Sequence, residues 1–372
     1  MYICRPFKVH AMNNVMKKVL SSLLFCCVVV NVCADPIGPS RALKIAAAYV
    51  GDVPVEVLCA PTRRSGGLAV NDTLAPYYIV SRGDNAGFVI VSGDDCLPEI
   101  IGYTDTGDFV EEQMPPALLD MLEGYAELVE KAQAADAPAR APRKVVAGRT
   151  SIEPIVKAHW HQSSPYNDLA PFITNTTNRA VTGCTCTAAV MVLHHFRRDL
   201  PGELLATTPT YGYGDAPVTV SYPKGTPILW DLMQYDYNGT YPEEMRNAVA
   251  VLNAAFGAGI WQTYGSSTSG QIANIVDGYN QYFNLSSTCQ YKGGTSQTSW
   301  ENTVYSNLVK GQPIVYAGVH PTNGGHAIIL DGYNANNGLF HFNFGWGGQG
   351  DGYYTLDDET GVNGFSAKGA VM

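Results

Sequence analysis

Apolar and polar positions divide the chain into three stretches with different periodicities. Near the N-terminus, Lys17 and Lys18 precede an apolar stretch from Val19 to Val32, and Val32-Cys33-Ala34 offers small residues for a cut. That arrangement predicts an export signal over 1–34, since about 20 apolar residues are needed to span a bilayer and this stretch is shorter. Ala42 to Tyr49 has helical character. Tyr77 to Ser81 and Gly87 to Ser92 are β-rich runs joined by Asp84-Asn85, which predicts a hairpin. Pro115-Pro116 then opens a run with Leu118, Leu119, Leu122, Tyr125, Leu128 and Val129 at helical spacing.

The pattern breaks at 132–150. Alanines alternate with Pro138 and Pro142, followed by Arg140, Arg143, Lys144 and Arg149. Small, proline-bearing and basic composition predicts an exposed linker that a protease would cut near 144–149. Beyond it, a helix is expected at 184–197 and another at Pro242 to Phe256, with few other helices. Strands are expected at Ile314 to Val319, Ala327 to Tyr333, Leu339 to Asn343 and Gly352 to Leu356. The predicted organisation is a signal over 1–34, a leader and linker over 35–149, and a larger α+β domain over 150–372.

Composition narrows the chemistry. With 372 residues, 46% hydrophobic and 15% charged, the chain can build real cores. A net charge of −10 without a basic run makes it a poor binder of nucleic acid. No segment after the signal is apolar enough to span a membrane. Four of the nine cysteines precede the expected cut, leaving Cys59, Cys96, Cys184, Cys186 and Cys289. An odd number in an exported chain leaves at least one thiol free or paired with another molecule.

Cys184 follows Gly183 and opens an Ala/Val/Met/Leu run. A thiol in the first turn of a helix is acidified by unpaired N–H groups and the helix dipole; a small buried cysteine is the equally good alternative there. Cys186 is the rival thiol, but two residues along a helix it faces about 200° away. A metal site from Cys184, Cys186, His194 and His195 would have to span about 16 Å of helix, too far for one ion. Further on, Gly324-Gly325 delivers His326 to an apolar strand, and close approach of a substrate is what paired glycines permit. Asn343 ends a strand before a glycine-dense loop carrying Trp346. An asparagine amide can fix the tautomer of an imidazole, yet a regular hairpin centred near 336 leaves Asn343 about three residues out of register with His326, so meeting needs a bulge. Gln162 can donate to a developing oxyanion, although a glutamine near a proline is also an ordinary loop residue.

Four blocks, in order, resemble the streptopain family of bacterial cysteine proteases, a branch of the papain-like fold. They are Trp160 to Asn167, Thr182-Gly183-Cys184, Gly324 to Ala327, and Asn343 to Gly348. Tyr264 to Gly270 looks like that family's substrate-side loop, and 36–135 is similar to its prosegment. The resemblance implies a papain-like two-subdomain fold preceded by an α+β prodomain, and a secreted endopeptidase made as a zymogen. It implies Cys184 as nucleophile and His326 as base, with Asn343 orienting the histidine, Gln162 in the oxyanion hole and Trp346 shielding the pair. Ser266, Ser267 and Gly325 would border the substrate. The partners implied are protein or peptide substrates and the chain's own prodomain; no cofactor or metal is implied. The chain departs from the family pattern at Phe344, where a tryptophan is usual, at Thr185-Cys186, and at Met191-Val192-Leu193. A catalytically silent relative of the same fold and a thiol amidase acting on cell-wall peptides are the rival readings.

Overall fold

The protein is described here from a computed structural model, which covers residues 34–50, 56–59, 74–135, 137–139, 145–320, 323–356 and 367–371. Residues 1–33 of the expected signal over 1–34, and the basic positions 140, 143 and 144, lie outside the described residues.

The N-terminal part holds helix α1 (Pro39–Val50), strands β1 (Glu56–Cys59), β2 (Tyr77–Ser81), β3 (Phe88–Ser92) and β4 (Ile100–Tyr103), and helix α2 (Pro116–Ala134). β2 and β3 pair antiparallel across the turn at Asp84-Asn85, the predicted hairpin. Both faces of the hairpin are buried, and the period-2 alternation assigns them. Tyr78, Val80, Val89 and Val91 meet Ala42 and Ala46 of α1. Tyr77, Ile79, Phe88 and Ile90 belong to the core that also takes up Leu118, Met121, Leu122 and Tyr125 of α2. Helix α2 starts with Pro116 at its first position, where the missing N–H costs nothing. It runs two residues past the expected start of the linker, to Ala134. Val145 and Val146 beyond it are exposed.

The C-terminal part contains α3 (Cys184–Phe196), α4 (Glu243–Gly259), α5 (Ile272–Phe283), α6 (Gln297–Val309) and strands β5 (Cys289–Tyr291), β6 (Ile314–His320), β7 (Gly324–Asn334), β8 (Leu339–Asn343), β9 (Gly352–Tyr354) and β10 (Ala367–Val371). The expectation of few helices here is corrected: α5 and α6 were not anticipated. Among the buried residues of α6 only Trp300, Val304 and Leu308, four apart, are apolar. Such a narrow stripe in a polar segment gives weak helical periodicity.

One ten-stranded antiparallel sheet runs through both parts, in the order β1-β2-β3-β4-β9-β8-β7-β6-β10-β5. The two parts join at β4 and β9 through Gly102–Tyr354 and Tyr103–Tyr353. Helix α2 strengthens that seam. Its apolar face shares a core with Tyr316, Ile328, Leu330 and Phe342 of the C-terminal strands and with Phe344 just after β8. Each such side chain, fully buried, contributes roughly 1.5–3 kcal/mol. On the other face of the same strands, Val315, Ala327 and Ile329 meet α3, α4 and α5 in a second core with Trp160, Met191, Leu193, Phe256 and Tyr279. A helical layer carrying Cys184 and a strand layer carrying His326 therefore face each other, which is the α+β arrangement expected.

Candidate active site

Gly183 ends the approach to α3 with φ 78° and ψ 143°. A Cβ there would lie 2.7 Å from Gln262 Nε2 and 2.9 Å from the Thr268 carbonyl oxygen, so only glycine fits. The turn delivers Cys184 as the first residue of α3, with no side chain capping the helix. Across the cleft, β6 and β7 hold His326 opposite Gly318 and Ala327 opposite Ala317.

The sulfur and the imidazole meet. Cys184 is hydrogen-bonded to His326, and the Ala327 N–H lies 3.4 Å from Cys184 Sγ. Burial by itself pushes the thiol up, but the bonds from His326 and Ala327 and the charge of His326 outweigh it, so its pKa falls below the ordinary value. For His326 burial pulls the other way, and bonds to Cys184 and Asp120 prevail, so its pKa is raised. The two shifts have opposite signs, and each favours the charged form of its group.

A cavity of about 440 Å³ opens at this pair. Gln162 and Trp346 line it beside Cys184 and His326, and Ser266, Ser267 and Gly325 form its rim. Thus seven of the eight residues singled out in the sequence share one cavity. Asn343 is the exception. It lies opposite Ile329, three residues from His326, because the bulge between Leu330 and Gly332 shifts the register only above that point. Its Nδ2 donates to the Ala158 carbonyl at 3.0 Å and its Oδ1 accepts from the Gly345 N–H at 3.0 Å. The expected Asn343–His326 bond is therefore absent from this arrangement.

The place is taken by a residue that the sequence did not flag. Asp120 Oδ2 of α2 is 2.6 Å from His326 Nε2. Asn323 Nδ2 donates to Asp120 Oδ1 at 2.7 Å and to Glu123 Oε2 at 2.9 Å. Pro115, Pro116 and Ala117 line the same cavity. Asp120 and Glu123 occupy polar positions of an amphipathic helix, where a solvated face is the ordinary outcome, so no local signal marks them.

Behind the cleft, the segment leading to Gln162 is tied to the loop carrying Trp346. The Gly347 N–H donates to the Trp160 carbonyl at 3.1 Å. Asp351 Oδ1 accepts from the Phe344 N–H at 2.8 Å, and its Oδ2 lies 3.2 Å from His159 Nδ1. The bond to Asp351 raises the His159 pKa. Buried Asp331 accepts from the Val156 N–H at 3.0 Å and lies 2.6 Å from His341 Nδ1. Phe344, where the family pattern has a tryptophan, is buried against Phe342 and Tyr354 and also lines the cleft. Cys186 faces away, fully buried, donating to the Asn253 carbonyl at 3.5 Å. Among the described side chains, Cys96, Cys184, Cys186 and Cys289 are free thiols. His194 is buried and His195 bonds the Ile155 and Gly311 carbonyls, both remote from the cleft.

Two facing layers with a Cys–His contact between them, and a leader helix lying in the cleft, define a papain-like cysteine peptidase carrying an inhibitory prosegment. Residues 160–354 match the Peptidase C10 family, and residues 34–129 match the Spi protease inhibitor family. The chain belongs to the Peptidase C10 family, with streptopain as a relative. It is 30% identical to streptopain of Streptococcus pyogenes serotype M1 over 312 residues, 75% of this chain and 73% of that protein. It is 28% identical to the thiol protease/hemagglutinin PrtT of Porphyromonas gingivalis, covering 76% of this chain and 34% of that longer protein. Among solved structures, a Prevotella intermedia prointerpain A fragment superposes with a TM-score of 0.69 at 26% identity, over 82% of this chain and 96% of that one. Active interpain A of the same organism gives 0.53 at 30% identity, over 59% of this chain and 94% of that one. No described helix is long and apolar enough to cross a membrane.

Proposed function

We propose that the protein is a secreted cysteine endopeptidase, made as a zymogen that activates itself by cutting between its leader and its catalytic domain. In this reading 1–34 is a signal, 35–149 the leader and linker, and 150–372 the catalytic domain. The single observation that carries the proposal is the Cys184–His326 contact, with the thiol pKa lowered and the imidazole pKa raised.

The mechanism follows from that pair. Cys184 Sγ, as thiolate, attacks the carbonyl carbon of the substrate peptide, and the carbonyl oxygen becomes an oxyanion. Gln162, with the Cys184 backbone N–H, donates to that oxygen. His326 gives its proton to the leaving amine as the C–N bond breaks, leaving a thioester on Cys184. His326 then takes a proton from water, whose oxygen attacks the thioester, and the acid product departs as the thiolate returns. Trp346 walls the cleft from solvent, and the Ser266–Ser267 rim borders the substrate chain. Asn343 would orient His326 only after Asp120 has withdrawn and the strand ends have adjusted.

The test is to follow the purified precursor beside its Cys184→Ala form. The unaltered chain should shorten by a leader-sized fragment and then digest casein, and the alanine form should do neither. Processing of the alanine form at the same rate would end self-activation. A casein-digesting alanine form would end the assignment of Cys184. Digestion of peptidoglycan stems but not casein would favour the amidase reading.

A further inference from the structure

Trp261 combines two choices that are each unfavourable for an ordinary surface residue. It follows Ile260, the C-cap of α4, in the left-handed conformation with φ 59°. Glycine or asparagine normally fills that position, because a bulky side chain clashes there. The other three non-glycine residues with positive φ among the described residues, Asn85, Asn175 and Asn284, are all asparagines. Trp261 is also 49% exposed, so its indole gains little from burial. A strained backbone that displays an aromatic ring to solvent points to a binding role.

The ring does not stand alone. Tyr211 stacks on Trp261 with centroids 5.2 Å apart and planes 29° apart, and on Tyr213 at 4.5 Å and 16°. Tyr213 is 43% exposed. Both hydroxyls fix the stack to the backbone it surrounds: Tyr211 donates to the Gln262 carbonyl and Tyr213 to the Trp261 carbonyl, each at 3.0 Å. The platform is thus ordered before anything binds, which lowers the entropy lost on binding. It adjoins the cleft. Thr263 and Ser269 exchange backbone hydrogen bonds at 2.8 and 3.1 Å, closing a small hairpin whose tip, Ser266 and Ser267, forms the cavity rim. Trp261 lies two residues before the base of that hairpin.

We propose that the Tyr211–Tyr213–Trp261 stack is an exosite that grips a polypeptide substrate away from the bond being cut, taking a proline or aromatic side chain of an unfolded segment on its exposed faces. The proposal rests on the peptidase reading of the cleft. Flat aromatic faces suit such side chains, and tryptophan and tyrosine dominate binding hot spots. Grip remote from the scissile bond aids long substrates and leaves short ones unaffected.

Trp261→Gly is the informative variant, because glycine accepts the left-handed backbone and the variant should unfold no earlier than the unaltered chain. Full-length precursor is produced, allowed to mature, and assayed on a fluorogenic peptide short enough to fill the cleft alone and on unfolded casein. For the variant the short peptide should be cut with unchanged kcat/KM, while KM for casein rises about fivefold or more, the loss of one hot-spot side chain. Tyr213→Ala should do the same. An unchanged casein KM in both variants overturns the exosite. Equal loss on both substrates also overturns it, and assigns Trp261 to holding the cleft. Failure of the unaltered mature enzyme to cut the short peptide would strike the peptidase reading instead, so the two failures are separable.

Discussion

Asp120 Oδ2 lies 2.6 Å from His326 Nε2, so a carboxylate of the leader grips the imidazole that also touches Cys184. A leader that merely covered a cleft would need no such contact. Here it holds the histidine with a charge-assisted bond and steadies itself through Asn323, which donates to both Asp120 and Glu123. A bond of this kind contributes about 1.5–3 kcal/mol. Asp120→Asn should therefore shorten the lag before self-cleavage about tenfold or more, measured by the disappearance of full-length chain on gels. An unchanged lag would assign latency to the apolar face of α2 alone.

The same contact sets a pH dependence. In the proposed mechanism the Cys184–His326 pair works in the mature enzyme too, so the Asp120 bond is what distinguishes the docked state. In the precursor the bond to Cys184 and then the bond to Asp120 raise the His326 pKa, against burial. Because Asp120 lifts the docked histidine above its value in the released state, docking is stabilised fully below the released value, and the stabilisation is lost as pH rises through the docked one. Leader release should accelerate as pH climbs above the ordinary histidine range, followed as a faster onset of activity in a pH series. Asp120→Asn should flatten that series. A precursor that instead releases its leader faster as pH falls would contradict this linkage.

Gln162 shares the cavity with Cys184, and its proposed role is to bind charge that develops only in the transition state. Gln162→Ala should lower kcat by about 10²–10³ with little change in KM, read on the short peptide with the mature enzyme. A matching rise in KM with unchanged kcat would make Gln162 a substrate contact.

Gly183 carries a different burden. With φ 78° and Gln262 Nε2 2.7 Å from where a Cβ would sit, Gly183→Ala must shift the turn that sets Cys184. Strain of this kind costs about 1–3 kcal/mol. The precursor should melt several degrees lower, since 1 kcal/mol moves the midpoint of a domain this size about 2–4 °C. Cys184 should also lose its low pKa, seen as slower alkylation by iodoacetamide near neutral pH. An unshifted melting point would show that the turn tolerates a side chain.

How much of this was legible along the chain follows from how local each feature is. The helix opening at Cys184 and the hairpin at 77–92 are short-range patterns, and both stand where periodicity put them. The seven cleft residues carried enough motif to be named before their positions were known. Helix α6 was not legible, because its stripe of Trp300, Val304 and Leu308 is too narrow to announce a helix. Asp120 was not legible for a deeper reason. Its meaning depends on His326, 206 positions away, and nothing within α2 distinguishes it from Glu123 or any other solvated acid. Asn343 shows the converse: its motif was plain, but the strand register sets it opposite Ile329, where its amide bonds the backbone instead.

The seam between the two parts gives the last test. Gly102 of β4 pairs with Tyr354 of β9, and a Cβ at 102 would lie 2.2 Å from Tyr354 Cδ1. Tyr354 has no room to withdraw, being fully buried with its hydroxyl on the Gly350 carbonyl at 2.6 Å. Gly102→Val should therefore force β4 off β9, at a cost of about 1–3 kcal/mol of overpacking. The change lies in the leader, so it acts on the precursor alone. The precursor should melt lower and show peptidase activity before processing, because α2 and Asp120 are then held less firmly in the cleft. Once the leader is gone, the mature enzyme from the variant is the same molecule as from the unaltered chain, and its kcat/KM on the short peptide must agree. A precursor that stays fully latent would mean that α2 docks independently of the continuous sheet.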